Sequence, residues 1–156
     1  MADQERYLTW EQMTQGMKFQ TLRRTITETD LVNFVNASGL FEPLFIDGPY
    51  VLEHSPYAGR LVPAPLIYAY AEGLSLQGGG FQRSGLALLG VDIKMVAPAL
   101  VGDTINVTIE VTESRPTRKP GRGVVTTTNT VANQRGETVM VYRPARLVSG
   151  TLIGDE

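Results

Sequence analysis

The chain has 156 residues, 42% hydrophobic and 19% charged, which is one domain spanning 1–156 and able to bury about 70% of its unfolded surface. Fourteen Lys+Arg against sixteen Asp+Glu leave a net charge of −2, which excludes a global attraction to nucleic acid or to an anionic membrane. Zero cysteines exclude zinc fingers, thiolate nucleophiles and iron–sulfur clusters, and a single histidine, His54, excludes HExxH helices and two-histidine triads, so no metal or cofactor is expected.

Met1–Arg6 is acidic and polar, unlike a signal peptide, and the longest mostly apolar stretch, Leu61–Ala71, is far short of the roughly 20 residues that cross a bilayer. A cytoplasmic protein is the expectation. Lys18–Arg24 reads as a first strand. Thr27 is the expected N-cap of a helix that carries Glu28 and Asp30 in its first turn and Leu31, Phe34 and Val35 as an apolar stripe, ending near Gly39. Between Gly39 and Gly59 the pattern is irregular, broken by Pro43, Gly48, Pro49 and Pro56, with Asp47 capping a short helix through Tyr50–Glu53. A long helix starts near Pro63–Pro65, with Leu66, Ile67, Tyr70, Ala71 and Leu74 as its apolar face, and Gln77–Gly80 ends it in a flexible loop.

The second half is strand: Leu86–Val96, Thr104–Thr112, Val124–Ala132 and Thr138–Val148, with Asn133–Gly136 as the turn of the last hairpin. The last three strands form an antiparallel meander with one face under a helix. Helix and loop first, strands second, is an α+β order. A sheet of this size laid around one long helix is a hot-dog fold.

Five segments in order resemble the MaoC-like dehydratase family, R-specific enoyl-CoA hydratases included: Arg24–Phe34, Ser38–Asp47, Tyr57–Pro63, Gly90–Thr104 and the hairpins at Pro120–Gly123 and Asn133–Glu137. The resemblance covers about Trp10 to Val148. It implies a hot-dog subunit that binds an acyl-CoA or acyl thioester and works as a homodimer or a heterodimer with a related hot-dog chain, sheets edge to edge. The family's loop reads Ser-Gly-Asp-x-Asn-Pro-Leu-His-x-Asp, and its Asp and His move protons as water adds to the double bond. On that frame Leu40 stands for the Asp and Phe45 for the His, with Pro43, Leu44 and Asp47 kept. Neither Leu nor Phe can hold a proton, and one placed acid/base group contributes about 10²–10⁴-fold to such a reaction.

Glu42 is the surviving proton-transfer candidate in the loop, against the alternative of a solvated loop carboxylate. His54 is the only side chain whose ordinary pKa lies near neutrality, against a helix-end role. The resemblance puts oxyanion donors at the start of the long helix, where Pro65 donates nothing and the N–H groups of Ala64, Leu66 and Ile67 remain. Leu40, Phe45, Tyr57 and Tyr68, with Phe41 and Tyr70, suit an apolar acyl pocket or ordinary core packing. Arg118, Lys119 and Arg122, with Arg115, suit CoA phosphates or a solvated hairpin tip. Three functions stay open: a hydro-lyase of enoyl-CoA hydratase type with an atypical site, a non-catalytic acyl-CoA-binding subunit paired with a dyad-bearing chain, and a thioesterase using Glu42 or Glu72.

Overall fold

Ile105, Val107, Ile109 and Val111 alternate along one strand and all four are fully buried, so a single face of that strand defines the inside of the molecule. The computed structural model describes residues 7–154; Met1–Arg6, on which the reading of the N-terminus rests, lies outside the described residues. The elements are β1 (Lys18–Gln20), β2 (Arg24–Thr25), α1 (Glu28–Ser38), α2 (Pro43–Ile46), α3 (Gly48–His54), α4 (Ala64–Gly78), β3 (Gly85–Met95), β4 (Thr104–Pro116), β5 (Arg122–Ala132) and β6 (Thr138–Ser149). The sheet runs β1-β4-β5-β6-β3, every pair antiparallel, with β2 also on β4. Leu66, Ile67 and Ala71 of α4 pack on Ile105, Val107, Ile109, Val131, Met140 and Tyr142 to form the main core. This is the α+β hot-dog arrangement.

The expected first strand is divided. Gln20 pairs with Thr108 and Arg24 with Ile105, so one residue more is spent on this side than on β4. Thr21 bridges the gap, accepting from the Val107 N–H through Oγ1 at 2.9 Å, and Leu22 is pushed out to 84% exposure. The N-cap of α1 is as read: Asp30 N donates to Thr27 Oγ1 at 3.2 Å and Thr27 N to Asp30 Oδ2 at 2.8 Å, a complete capping box. Gly39 ends the helix at φ 74°, a left-handed position that suits glycine. Asp47 caps α3 through Tyr50 N at 2.9 Å. The stretch before it, read as irregular, contains the one-turn helix α2, begun by Pro43.

The apolar face of α4 is as read, with Tyr70 and Leu74 half-buried against the core, and Ser75 adds a sealed polar position, its Oγ 2.8 Å from the Ala71 carbonyl and 2.8 Å from the Tyr142 hydroxyl. The end of the helix is not a flexible loop. Gly79 and Gly80 are buried, and a Cβ on Gly79 would lie 2.6 Å from the Ser75 carbonyl oxygen, so these glycines permit close packing. No helix among the described residues is long and apolar enough to cross a membrane.

Candidate functional site

The first turn of α4 and the segment leaving β3 form a cleft of about 380 Å³. One wall is Leu61–Ala64, the other Met95–Ala99, and Phe45 and Tyr57 close the end. The walls are tied by backbone: Val62 N donates to the Ala99 carbonyl at 2.8 Å and Leu61 N to the Leu44 carbonyl at 3.0 Å. Arg60, just before the first wall, reaches Glu28 of α1 as an ion pair and anchors the loop. Tyr57 is the only titratable side chain in the lining.

Three of the expected site residues therefore meet here: Phe45, Tyr57 and Ala64. Leu66 N and Ile67 N both donate to the Pro63 carbonyl, at 2.9 and 3.2 Å, which leaves the Ala64 N–H of the expected first-turn donors. Leu40 is exposed at the entrance to α2 and is not in the lining. Glu42 sits at the N-cap of α2, exposed, with no side-chain capping bond, and its carbonyl takes Phe45 N at 2.8 Å. His54 ends α3 with 57% of its side chain exposed, 3.7 Å from the neighbouring Glu53 carboxylate and stacked at a tilt on Tyr50. Neither Glu42 nor His54 contributes to the cleft lining.

Tyr68 turns the other way, under α4, edge-on to Tyr142 with ring centroids 5.4 Å apart. Its hydroxyl is buried without a hydrogen-bond partner among the described residues. Burial, and then the Glu72 charge, push the Tyr68 phenol above its ordinary range, and burial pushes that of Tyr142 up to about 12. Both rings stay neutral; Tyr68 serves in packing, and Tyr142 also shares a hydrogen bond with Ser75 Oγ.

The basic tip lies at the far end of the sheet. Arg118 and Lys119 are exposed in the turn joining β4 to β5, while Arg122 is half-buried at the start of β5. Thr117 Oγ1 shapes that turn by donating to the Lys119 carbonyl at 2.6 Å. Met95 beside the cleft is in register with Met140, Val131 and Val107, whereas the tip follows Pro116. At about 3.3 Å per residue the tip is some 30 Å from the cleft along β4.

One charged pair escaped the sequence reading as a unit. Arg146 Nη2 donates to both carboxylate oxygens of Glu72 at 2.7 Å, Nη1 lies 3.3 Å from Thr127 Oγ1, and the guanidinium lies over the Phe81 ring. The strand parity of β6 carried the signal, because Met140, Tyr142, Pro144, Arg146 and Val148 alternate inward. Among the described residues no group of His, Asp and Glu side chains could hold a metal ion.

The sequence matches the FAS1-like dehydratase domain region family over residues 13–142. No curated protein matches it in sequence. Among solved structures it is similar to a monoamine oxidase regulatory protein from Archaeoglobus fulgius, at 29% identity and TM-score 0.83 over 93% of this chain and 96% of that one. It is also similar to a MaoC-like dehydratase from Rhodospirillum rubrum, at 24% identity and TM-score 0.80 over 91% and 97%. A 3R-hydroxyacyl-ACP dehydratase complex from Mycobacterium tuberculosis matches at 20% identity and TM-score 0.71 over 85% and 96%.

Proposed function

The chain belongs to the FAS1-like dehydratase domain region family of MaoC-like hot-dog proteins, and from that premise we propose that it is an acyl-CoA-binding subunit of the enoyl-CoA hydratase type that lacks the proton-transfer pair of its relatives. The observation that carries this is Phe45. It lines the cleft at the position where the family places its histidine, and the only titratable neighbour in that lining is Tyr57. Hydration needs a base for water, an acid for the α-carbon and donors for the enolate oxygen. The Ala64 N–H suits the last of these, and an acyl chain suits the apolar walls; nothing in the lining suits the first two.

Glu42 and His54 keep a role only if the loop rearranges on binding, and both are exposed as the chain stands. The thioesterase reading is weakened at Glu72, whose two oxygens are already held by Arg146. Arg118, Lys119 and Arg122 are assigned to the CoA phosphates. Because the tip is some 30 Å from its own cleft along the strands, a bound CoA meets it across a subunit boundary, in a homodimer or in a pair with a dyad-bearing chain of the cytoplasm.

Absorbance at the enoyl-thioester band with crotonyl-CoA tests the reading, alongside direct measurement of binding. Binding with no turnover by the wild type is expected, with some turnover gained by the double change Leu40→Asp, Phe45→His. Robust wild-type turnover abolished by Glu42→Gln or by His54→Ala overturns it.

A further inference from the structure

The cleft at the start of α4 has apolar walls and one phenol; a second cleft, of about 360 Å³, has apolar walls and a carboxylate. It lies at the opposite end of β3, between the last turns of α4 and the first residues of that strand. Leu76, Leu86 and Leu88 form its walls with the buried Phe81, and Glu72 and Arg146 are part of the lining. We propose that this second cleft is a ligand site of its own, and that it takes a neutral, apolar alcohol or phenol whose hydroxyl donates to Glu72. The proposal stands apart from the acyl-thioester reading of the first cleft.

The end group follows from which polar atoms a ligand can reach. Glu72 is 17% exposed, and each of its carboxylate oxygens accepts one bond from Arg146 Nη2, at 2.7 Å. An ionised carboxylate has about four acceptor positions. Among the described residues nothing else donates to this one, so both oxygens keep room for a further donor. Arg146 offers no such opening: its side chain is 4% exposed, and the Phe81 ring covers the guanidinium at 4.6 Å. Arg83, the other cation in the lining, directs Nε to the Ile153 carbonyl at 3.1 Å and its guanidinium to the Tyr7 ring. The charged group open to a ligand is therefore an acceptor whose charge is already matched. An anion would be repelled by Glu72, and a cation would crowd the buried guanidinium. A neutral donor meets neither penalty and gains a bond to an ionised acceptor, which is stronger than one to a neutral group.

Two further features set this cleft apart from ordinary packing. A buried ion pair adds little over an apolar filling of the same shape, so stability does not account for a carboxylate kept in an apolar wall. Arg83 holds φ 64°, and among the described residues it is the one non-glycine position in the left-handed region. Strained positions of this kind gather at ligand sites. A cavity of about 150 Å³ encloses one benzene ring, so about 360 Å³ admits a body of two fused rings or a chain of similar volume.

2-Naphthol, with two fused rings and one hydroxyl, is the probe. Its relatives change only the end group: 2-methoxynaphthalene cannot donate, 2-naphthoate is an anion and 2-naphthylmethylamine is a cation. Titration of the wild-type chain by methyl NMR is expected to shift the Leu76, Leu86 and Leu88 signals, with the ether and both ions binding about tenfold more weakly than naphthol. Leu76→Trp fills the cleft from an exposed position and is expected to weaken naphthol at least tenfold. The double change Glu72→Leu, Arg146→Met removes both charges together and is expected to bind naphthol and its ether equally. The wild-type series and Leu76→Trp decide the matter even if that double variant does not fold. A wild-type chain that binds naphthol no better than the ether, either ion binding more tightly than naphthol, no naphthol binding at all, or shifts confined to Val62 and Met95 of the first cleft overturns the proposal.

Discussion

Replacing Glu72 by leucine takes the counter-charge from the Arg146 guanidinium, whose side chain is only 4% exposed where it and Glu72 line a cleft of about 360 Å³. Among the described residues its Nε is already without a partner, and Thr127 Oγ1 at 3.3 Å is the one acceptor left. Breaking a buried pair from one side costs about 3–5 kcal/mol. Replacing Arg146 by methionine costs less, about 2–3 kcal/mol, because Glu72 is 17% exposed and opens on the cleft, where it can be hydrated or take up a proton. The double change removes both charges and restores an apolar filling, so its cost falls to within about 2 kcal/mol of wild type, far below the sum of the single changes. Urea unfolding followed by circular dichroism at fixed protein concentration is the assay. With a slope near 2 kcal/mol per molar, Glu72→Leu moves the midpoint down by about 1.5–2.5 M. Single changes that each cost under 1 kcal/mol, or a double change equal to their sum, refute the assignment of the pair as a coupled buried unit.

Gly123→Ala places a Cβ 2.4–2.6 Å from three ring atoms of Trp10, so the variant destabilises by about 1–3 kcal/mol, and Trp10→Ala in the same chain removes most of that penalty in the same unfolding assay. Burial of the Asp30 carboxyl is outweighed by hydrogen bonds from Tyr70 and Thr27 and by the Arg24 charge, which hold it below its ordinary value of 3.8. Its contribution is therefore present at neutral pH and lost as pH falls through the lowered value, so Asp30→Asn costs about 1 kcal/mol at pH 7 and the gap from wild type closes in acid titration. A gap that stays constant down to pH 2 removes the charge from that account. Gly39→Ala, at φ 74°, costs about 1 kcal/mol by the same measurement.

Elements whose outcome depends on neighbouring residues were legible in the sequence. The alternation of Thr104–Thr112 fixes an inside and an outside by strand parity alone, and Thr27, Asp30, Gly39 and Asp47 mark helix ends through bonds three or four residues long. The kink at Thr21 was not legible, because it depends on a count of residues on β4, some eighty positions away. Nor was the packing of Gly79 and Gly80, whose tight neighbours come in part from β4 and from Leu8. In the site, the loop frame around Pro43 and Leu44 and the helix start at Ala64 could be read from local pattern and brought Phe45, Tyr57 and Ala64 to one cleft. The opposite wall, Met95–Ala99, could not, since only the register of β3 on β6 carries it there. Tyr68 shows the limit of the helical period: one turn along from Ala64 it faces Tyr142 and the sheet, away from the cleft.

The place of β3 in the sheet also bears on how the chain is made. Its one ladder partner among the described residues is β6, the last strand, which is complete about fifty residues after Met95. At roughly 5–20 residues per second, the nascent β3 waits on the order of 3–10 s with neither edge satisfied. During that interval the apolar run Leu86–Val91 is open to capture by neighbouring nascent chains. Slower synthesis lengthens that interval and a chaperone can cover the open strand during it, so both bear on the yield of this chain. A charge placed at Gly90 on the strand is the handle on that yield.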